Sequence, residues 1–213
     1  RRQLAVGLTV MVVTLAAAGV YFLQGLGKTQ AANSRTRAIL DQFSAPGMEH
    51  ADAENCRECH EEAYMGWKDS HHALANAPLQ DRDLNWLSAP PEGLLEERGM
   101  DWHTRGFPPV LEEAGLPRFP VVGTIGLTPL IQFLILAEDG RIQAHDVAWD
   151  VEKEEWFSVF ERDDIEPRIP GEWGHWTGQG MNWDANCAYC HMTEYHKAYD
   201  PETNTYDRHW AAM

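Results

Sequence analysis

The chain has 213 residues, with 33 acidic against 17 basic side chains, ten histidines, four cysteines and nine tryptophans. That length holds one domain plus a further segment, and a hydrophobic share of 44% lets the domain bury a core. A formal charge of −16 argues against nucleic acid and anionic lipid as partners and favours basic ones, unless the acidity serves solubility alone.

The charge is uneven along the chain. Residues 1–37 hold Arg1, Arg2, Lys28, Arg35 and Arg37 and no acid. Between them, 3–27 carries no charge, and 4–23 is almost wholly apolar. About 20 such residues match the hydrocarbon thickness of a bilayer. A cleaved signal peptide competes, with Ala16-Ala17-Ala18 as its cleavage site, but its apolar region spans only ~7–15 residues. The reading is a retained membrane anchor over 1–27, followed by a polar linker over 28–53 with a short helix from Arg35 to Phe43.

The domain over 54–213 opens on Cys56-Arg57-Glu58-Cys59-His60. Tyr64, Trp67, His71 and Leu74 then recur at helical spacing, so one helix is expected to run on from Cys59 to Leu74. Residues 78–120 are rich in Pro and Gly and read as an irregular wrap, with short helical stretches at 91–98 and 110–114. The period then changes. Apolar runs at 130–136, 141–149 and 155–160, separated by turns at 138–140 and 151–154, read as a small antiparallel meander. A loop follows, and Asn182-Trp183 leads into Cys187-Ala188-Tyr189-Cys190-His191. The expected fold class is α+β: a mostly helical and irregular scaffold with a small β-meander and one N-terminal transmembrane helix.

The two Cys-x-x-Cys-His stretches use all four cysteines. Two thiols three apart can each form a thioether to one vinyl group of a haem, and the next histidine then lies under the iron. A four-cysteine zinc site normally places its pairs about 15–20 residues apart and gives no reason for a histidine after each. A structural disulfide is also a poorer reading, because Cys-x-x-Cys loops are short and reducible. Two covalent haems c are therefore expected, on Cys56 and Cys59 and on Cys187 and Cys190, with His60 and His191 as proximal iron ligands. Since c-type attachment takes place on the exported side of bacterial membranes, the domain is placed there, beyond a single-pass anchor in the cytoplasmic membrane.

Several residues together resemble the multihaem cytochrome c-554-like family, in the branch often fused to tetratricopeptide repeats. In the first half they are Cys56-x-x-Cys59-His60 and Trp67-x-x-Ser70-x-His72-Ala73. Later come Gly140-Arg141-Ile142-Gln143, Ala148-Trp149-Asp150, His175-Trp176-Thr177-Gly178, Asn182-Trp183-Asp184 and Cys187-Ala188-x-Cys190-His191-x-Thr193. The resemblance covers roughly 54–210. It implies electron transfer by closely packed low-spin haems. Family members usually carry at least one further Cys-x-x-Cys-His shortly after the position of Trp210, so the chain reads either as a fragment with a third haem or as a shortened two-haem member.

The resemblance also points to distal iron ligands. His72 matches the family's Ser-x-His and His175 lies in His-Trp-Thr-Gly, with His71 as the fallback for His72. On one straight helix, His60 and His72 would be ~18 Å apart. Both axial nitrogens of one iron lie about 4–5 Å apart, so His72 is expected to reach a different haem. Met65, Met100 and Met181 are thioether candidates, whereas Met192 directly follows a proximal histidine and cannot cross to the other haem face.

Three functions follow. The leading one is a membrane-anchored electron carrier or electron-transfer subunit of a membrane complex, serving redox partner proteins. The others are an enzyme with an open haem site for a small nitrogen or sulfur compound, and a structural or docking subunit.

Overall fold

The computed structural model describes residues 34–42, 53–79, 81–87, 93–105, 107–160 and 169–210. The chain divides into two compact units, Arg1–Ala38 and Ile39–Met213. Residues 34–42 form a helix, α1, where the linker helix was expected. The expected anchor over 1–27 lies outside the described residues. Among the described residues no helix is long and apolar enough to cross a membrane.

The scaffold is mostly sheet, not mostly helical. Seven strands form one antiparallel sheet: β1 (Asn76–Pro78), β2 (Met100–His103), β3 (Val110–Glu113), β4 (Phe119–Ile125), β5 (Leu130–Leu136), β6 (Ile142–Asp150) and β7 (Glu155–Ser158). Strands β2 to β7 follow one another as a meander. The other edge of β4 is shared: β3 pairs with its start at Phe119 and Pro120, and β1 with its end from Gly123 to Ile125. The expected meander is thus the second half of a larger sheet. Its first half comes largely from the stretch expected to be irregular, and Val110–Glu113 is a strand where a helical stretch over 110–114 was expected.

Strand β6 explains why the sheet is central. All nine of its residues are buried, so it is covered on both faces. On one face Ile142 and Ala144 join Leu134, Leu136 and Val122 in a core with Trp183, Ala188 and Met192, which come from the second cysteine motif. On the other face Val147 and Trp149 join Phe133, Trp102 and Trp176, with Leu87 of α3 (Asp81–Leu87) and Leu95 of α4 (Leu94–Glu97). The second motif is therefore seated directly on the sheet.

The helix expected over 59–74 also differs. Helix α2 spans Ala53–Trp67 and is kinked at His60, whose φ of −129° and ψ of 43° are not helical. After Trp67 the chain turns: Ser70 N–H donates to Trp67 O at 2.8 Å, and Ser70 Oγ accepts from Ala73 N–H at 3.3 Å. A serine hydroxyl that captures a backbone N–H in this way favours turns and helix starts over a helix interior. The distance along one straight helix therefore says nothing about the reach of His72.

The approach to the second motif depends on Gly178. Its backbone is extended, with φ −85° and ψ 171°, which any residue could adopt. Space is the constraint, because a Cβ there would overlap Glu172 O and crowd His175 O at 3.1 Å. Gly178→Ala is expected to cost about 1–3 kcal/mol, as overpacking against fixed backbone does. In α2, where a Cβ at Gly66 meets nothing within 4 Å, Gly66→Ala should be neutral or stabilising by up to about 1 kcal/mol. Urea denaturation of the two variants checks the contrast. Equal midpoints would mean that the Glu172 carbonyl moves aside freely.

Candidate haem-attachment sites

The first motif lies on α2. Cys56 and Cys59 stand one helical turn apart, hence on one helix face, and both are exposed. His60 is exposed at the kink. Arg57 sits between Glu54 at 2.8 Å and Glu61 at 3.9 Å, and its guanidinium lies over the Tyr64 ring at 5.6 Å. Glu54, Glu58, Glu61 and Glu62 are all exposed, so this motif is framed by acids.

The second motif is built from two short helices, α5 (Trp183–Asn186) and α6 (Ala188–His191). Asn182 caps α5 by accepting from Ala185 N–H at 3.1 Å. Asn186 Nδ2 donates to Gln179 O and Gly180 O, holding the tight turn before it. Trp183 and Ala188 are buried in the core while Cys190 and His191 are exposed. The burial pattern thus turns the reactive groups outward. Cys187 is half-buried, and burial pushes its thiol up, with Cys190 and Asp184 adding to the shift. All four cysteines are free of disulfide bonds.

Asp184 joins this motif to the sheet. Its carboxylate accepts from Ile142 N–H at 3.0 Å, from Tyr195 OH at 2.7 Å and from Arg208 Nη2 at 2.8 Å, with Arg208 Nε on the other oxygen. Arg208 also donates to Gly140 O at 2.7 Å. Burial and the neighbouring Asp184 push the Tyr195 hydroxyl up, so it stays protonated as a donor.

A cavity of about 400 Å³ opens beside the second motif, lined by Trp67, His71, His72, Ala75, Cys190, His191, Met192 and Thr193. It brings the segment after the first motif to the second one. The polypeptide crosses between the two at Asn76, whose Nδ2 donates to His191 O at 2.8 Å and whose Oδ1 accepts from Trp183 Nε1 at 3.0 Å. Nothing in the local sequence marks Asn76. Its partners lie more than a hundred residues away.

His175 is placed elsewhere. It is buried beside Trp176, with Nδ1 2.8 Å from Thr177 Oγ1 and Nε2 3.6 Å from Glu113 Oε1. Glu113 in turn accepts from Trp176 Nε1 and from Arg98, and Arg98 pairs with Asp146 at 2.9 Å. The fully buried His145 completes this group, its ring stacked on Trp176 with centroids 5.5 Å apart. Met100, Met181 and Met192 fill the core, while Met65 is exposed on α2.

These residues fit a haem at each motif: paired thiols, an imidazole next in sequence, and exposure on the attachment side. The second also shares its cavity with two further imidazoles, those of His71 and His72.

No curated protein and no solved structure matches the chain. The family model described as cytochrome c554 and c-prime matches residues 55–89, which include Cys56, Cys59 and His60. That stretch covers the first motif and the turn bearing His71 and His72. Over residues 55–89 the chain is thus similar to the cytochrome c554 and c-prime family, and Cys56, Cys59 and His60 fit a covalent haem site of the c-type cytochrome kind.

Proposed function

We propose that the chain holds two haems c, one per motif, and passes electrons between redox proteins on the exported side of a bacterial membrane. The observation that carries the reading is the cavity that His71 and His72 line together with Cys190 and His191. A haem supplies one-electron chemistry, and a second imidazole on its iron favours transfer over ligand binding. In this reading His60 and His191 are proximal ligands, and His72 reaches the haem of the second motif as its distal ligand. His71, in the same turn, is the alternative. His175 has its own partners in the buried group around Glu113 and is left to that structural task.

The partner class follows from charge. With a net charge of −16, and with Glu54, Glu58, Glu61 and Glu62 exposed around the first motif, the surface favours a basic redox protein. Such steering weakens as salt is added.

Mass spectrometry of the intact protein, produced with haem-attachment machinery, is expected to show about two haem masses per chain that survive acid–acetone extraction. His72→Ala in that protein should leave both haems attached, turn one high-spin and let it bind CO. A bare polypeptide mass would overturn the reading. A wild-type chain that already binds CO at one haem would point instead to an enzyme with an open iron.

A further inference from the structure

We propose that Asn76 is the positioning residue of the second haem site, fixing the reach between the His71–His72 turn and the proximal His191. The inference rests on the haem reading above.

Asn76 is 3% exposed, and both ends of its amide are used, by the carbonyl of His191 and the indole of Trp183. The His191 carbonyl ends α6, where helical carbonyls lack partners within the helix. Only a side chain offering a donor and an acceptor together can join that carbonyl to an N–H, and glutamine would be one methylene too long for the gap. The backbone of Asn76 belongs to the sheet: it pairs with Ile125, and the preceding Ala75 carbonyl accepts from Gly126 N–H at 2.8 Å. The side chain, by contrast, belongs to the motif. One residue thus ties the sheet, the proximal histidine and the segment carrying the distal candidates.

That segment is short. His72 lies four residues before Asn76, inside a turn closed by Leu74 N–H to Ser70 O at 3.1 Å and by Ala73 N–H to the Ser70 hydroxyl. Little slack remains between the His72 imidazole and the clamp. A buried polar pair of this kind adds little net stability compared with an apolar pair of the same shape. What the amide contributes is geometry, and geometry at an iron is read out in its spin state and potential.

The test uses the full holoprotein with Asn76→Leu, which keeps the branching at Cγ in a somewhat larger side chain and removes both hydrogen bonds. The expected result is two haems still attached, loss of the low-spin signal from one, uptake of about one CO per chain, and a shifted midpoint for that haem alone. Asn76→Asp keeps the acceptor for Trp183 but sets a carboxylate against the His191 carbonyl, and should give the same change. A wild-type spectrum without CO binding in Asn76→Leu would overturn the proposal even if the melting temperature fell. Should that variant not fold, a wild-type spectrum in Asn76→Asp overturns it equally. If the wild-type chain carries no haem on Cys187 and Cys190, the functional reading fails separately. The clamp is then tested by amide hydrogen exchange over 71–76, which Asn76→Leu should accelerate about tenfold, and unchanged exchange rejects it.

Discussion

Asp184→Ala is expected to cost the fold about 3–5 kcal/mol, the range for removing one partner of a buried ion pair. The carboxylate and the Arg208 guanidinium are each only 1% exposed. Without Asp184, the Arg208 charge stays buried with Gly140 O and the Tyr206 ring as its remaining partners, and Tyr195 OH and Ile142 N–H lose their acceptor. The uncompensated groups, rather than the lost attraction, set the size of the effect. The damage should be local as well. Asp184 precedes Cys187 by three residues and Ile142 opens β6, so the carboxylate is the staple between the second motif and the sheet.

A double variant separates charge burial from packing. Asp184→Leu with Arg208→Leu removes both charges and should be less destabilised than Asp184→Leu alone, because no lone charge remains inside. Urea denaturation of the single and double variants measures this. A single variant within about 1 kcal/mol of wild type would mean that water reaches Arg208 in the native state.

Both cysteine motifs were legible because their chemistry fixes their spacing. In the haem reading a thiol pair followed by a ligand leaves the same trace in any fold. Strands β5 to β7 were legible for a related reason: long apolar runs flank a turn whose Gly140 has a φ of 85°, a conformation that glycine adopts without strain. The first half of the sheet was hidden. Pro120 and Gly123 interrupt β4, and both lie on the edge that β4 shares between β3 and β1. In β3, Val110–Glu113 alternates too briefly to distinguish strand from helix, and Glu113 is buried only because Arg98 and Trp176 reach it from elsewhere.

The misread helix has a different cause. Trp67, His71 and Leu74 keep helical spacing, yet the Ser70 hydroxyl takes the Ala73 N–H and sets a turn there. His72 was marked by its resemblance to a family motif, and its place in one cavity with His191 came only with the fold. His175 was marked in the same way, but its surroundings are the carboxylate and indole of the other core face. A motif can show that a histidine matters without showing what it touches. Asn76 carries no such mark, since its two partners come into range only when the sheet has formed.

Below neutral pH that second core face should become the weak point of the fold. His145 is fully buried, and its Nδ1 accepts from Val147 N–H at 2.9 Å, so protonation at that nitrogen breaks a backbone hydrogen bond. Burial first, opposed by Asp146 and assisted by Arg98, brings its pKa down to about 4 from an ordinary 6.5. The unfolded chain then binds the proton more readily than the folded one, so stability is lost as pH falls from 6.5 to about 4, by roughly 3 kcal/mol. Glu113 acts in the adjoining window. Burial would raise it, but His175, Trp176, His145 and Arg98 outweigh burial and hold it at about 2 against 4.5. Its carboxylate stabilises the fold fully above pH 4.5, and that contribution, again roughly 3 kcal/mol, is lost as pH falls towards 2. Chemical denaturation at a series of pH values should therefore show a loss beginning near 6.5 and continuing below 4.5. His145→Gln should flatten the upper part of the curve and shrink the lower part only by the share His145 contributes to Glu113, while Glu113→Gln should remove the lower part and keep the upper. A wild-type stability that stays level from pH 6.5 to 4 would mean that His145 takes up its proton inside the fold as easily as outside it.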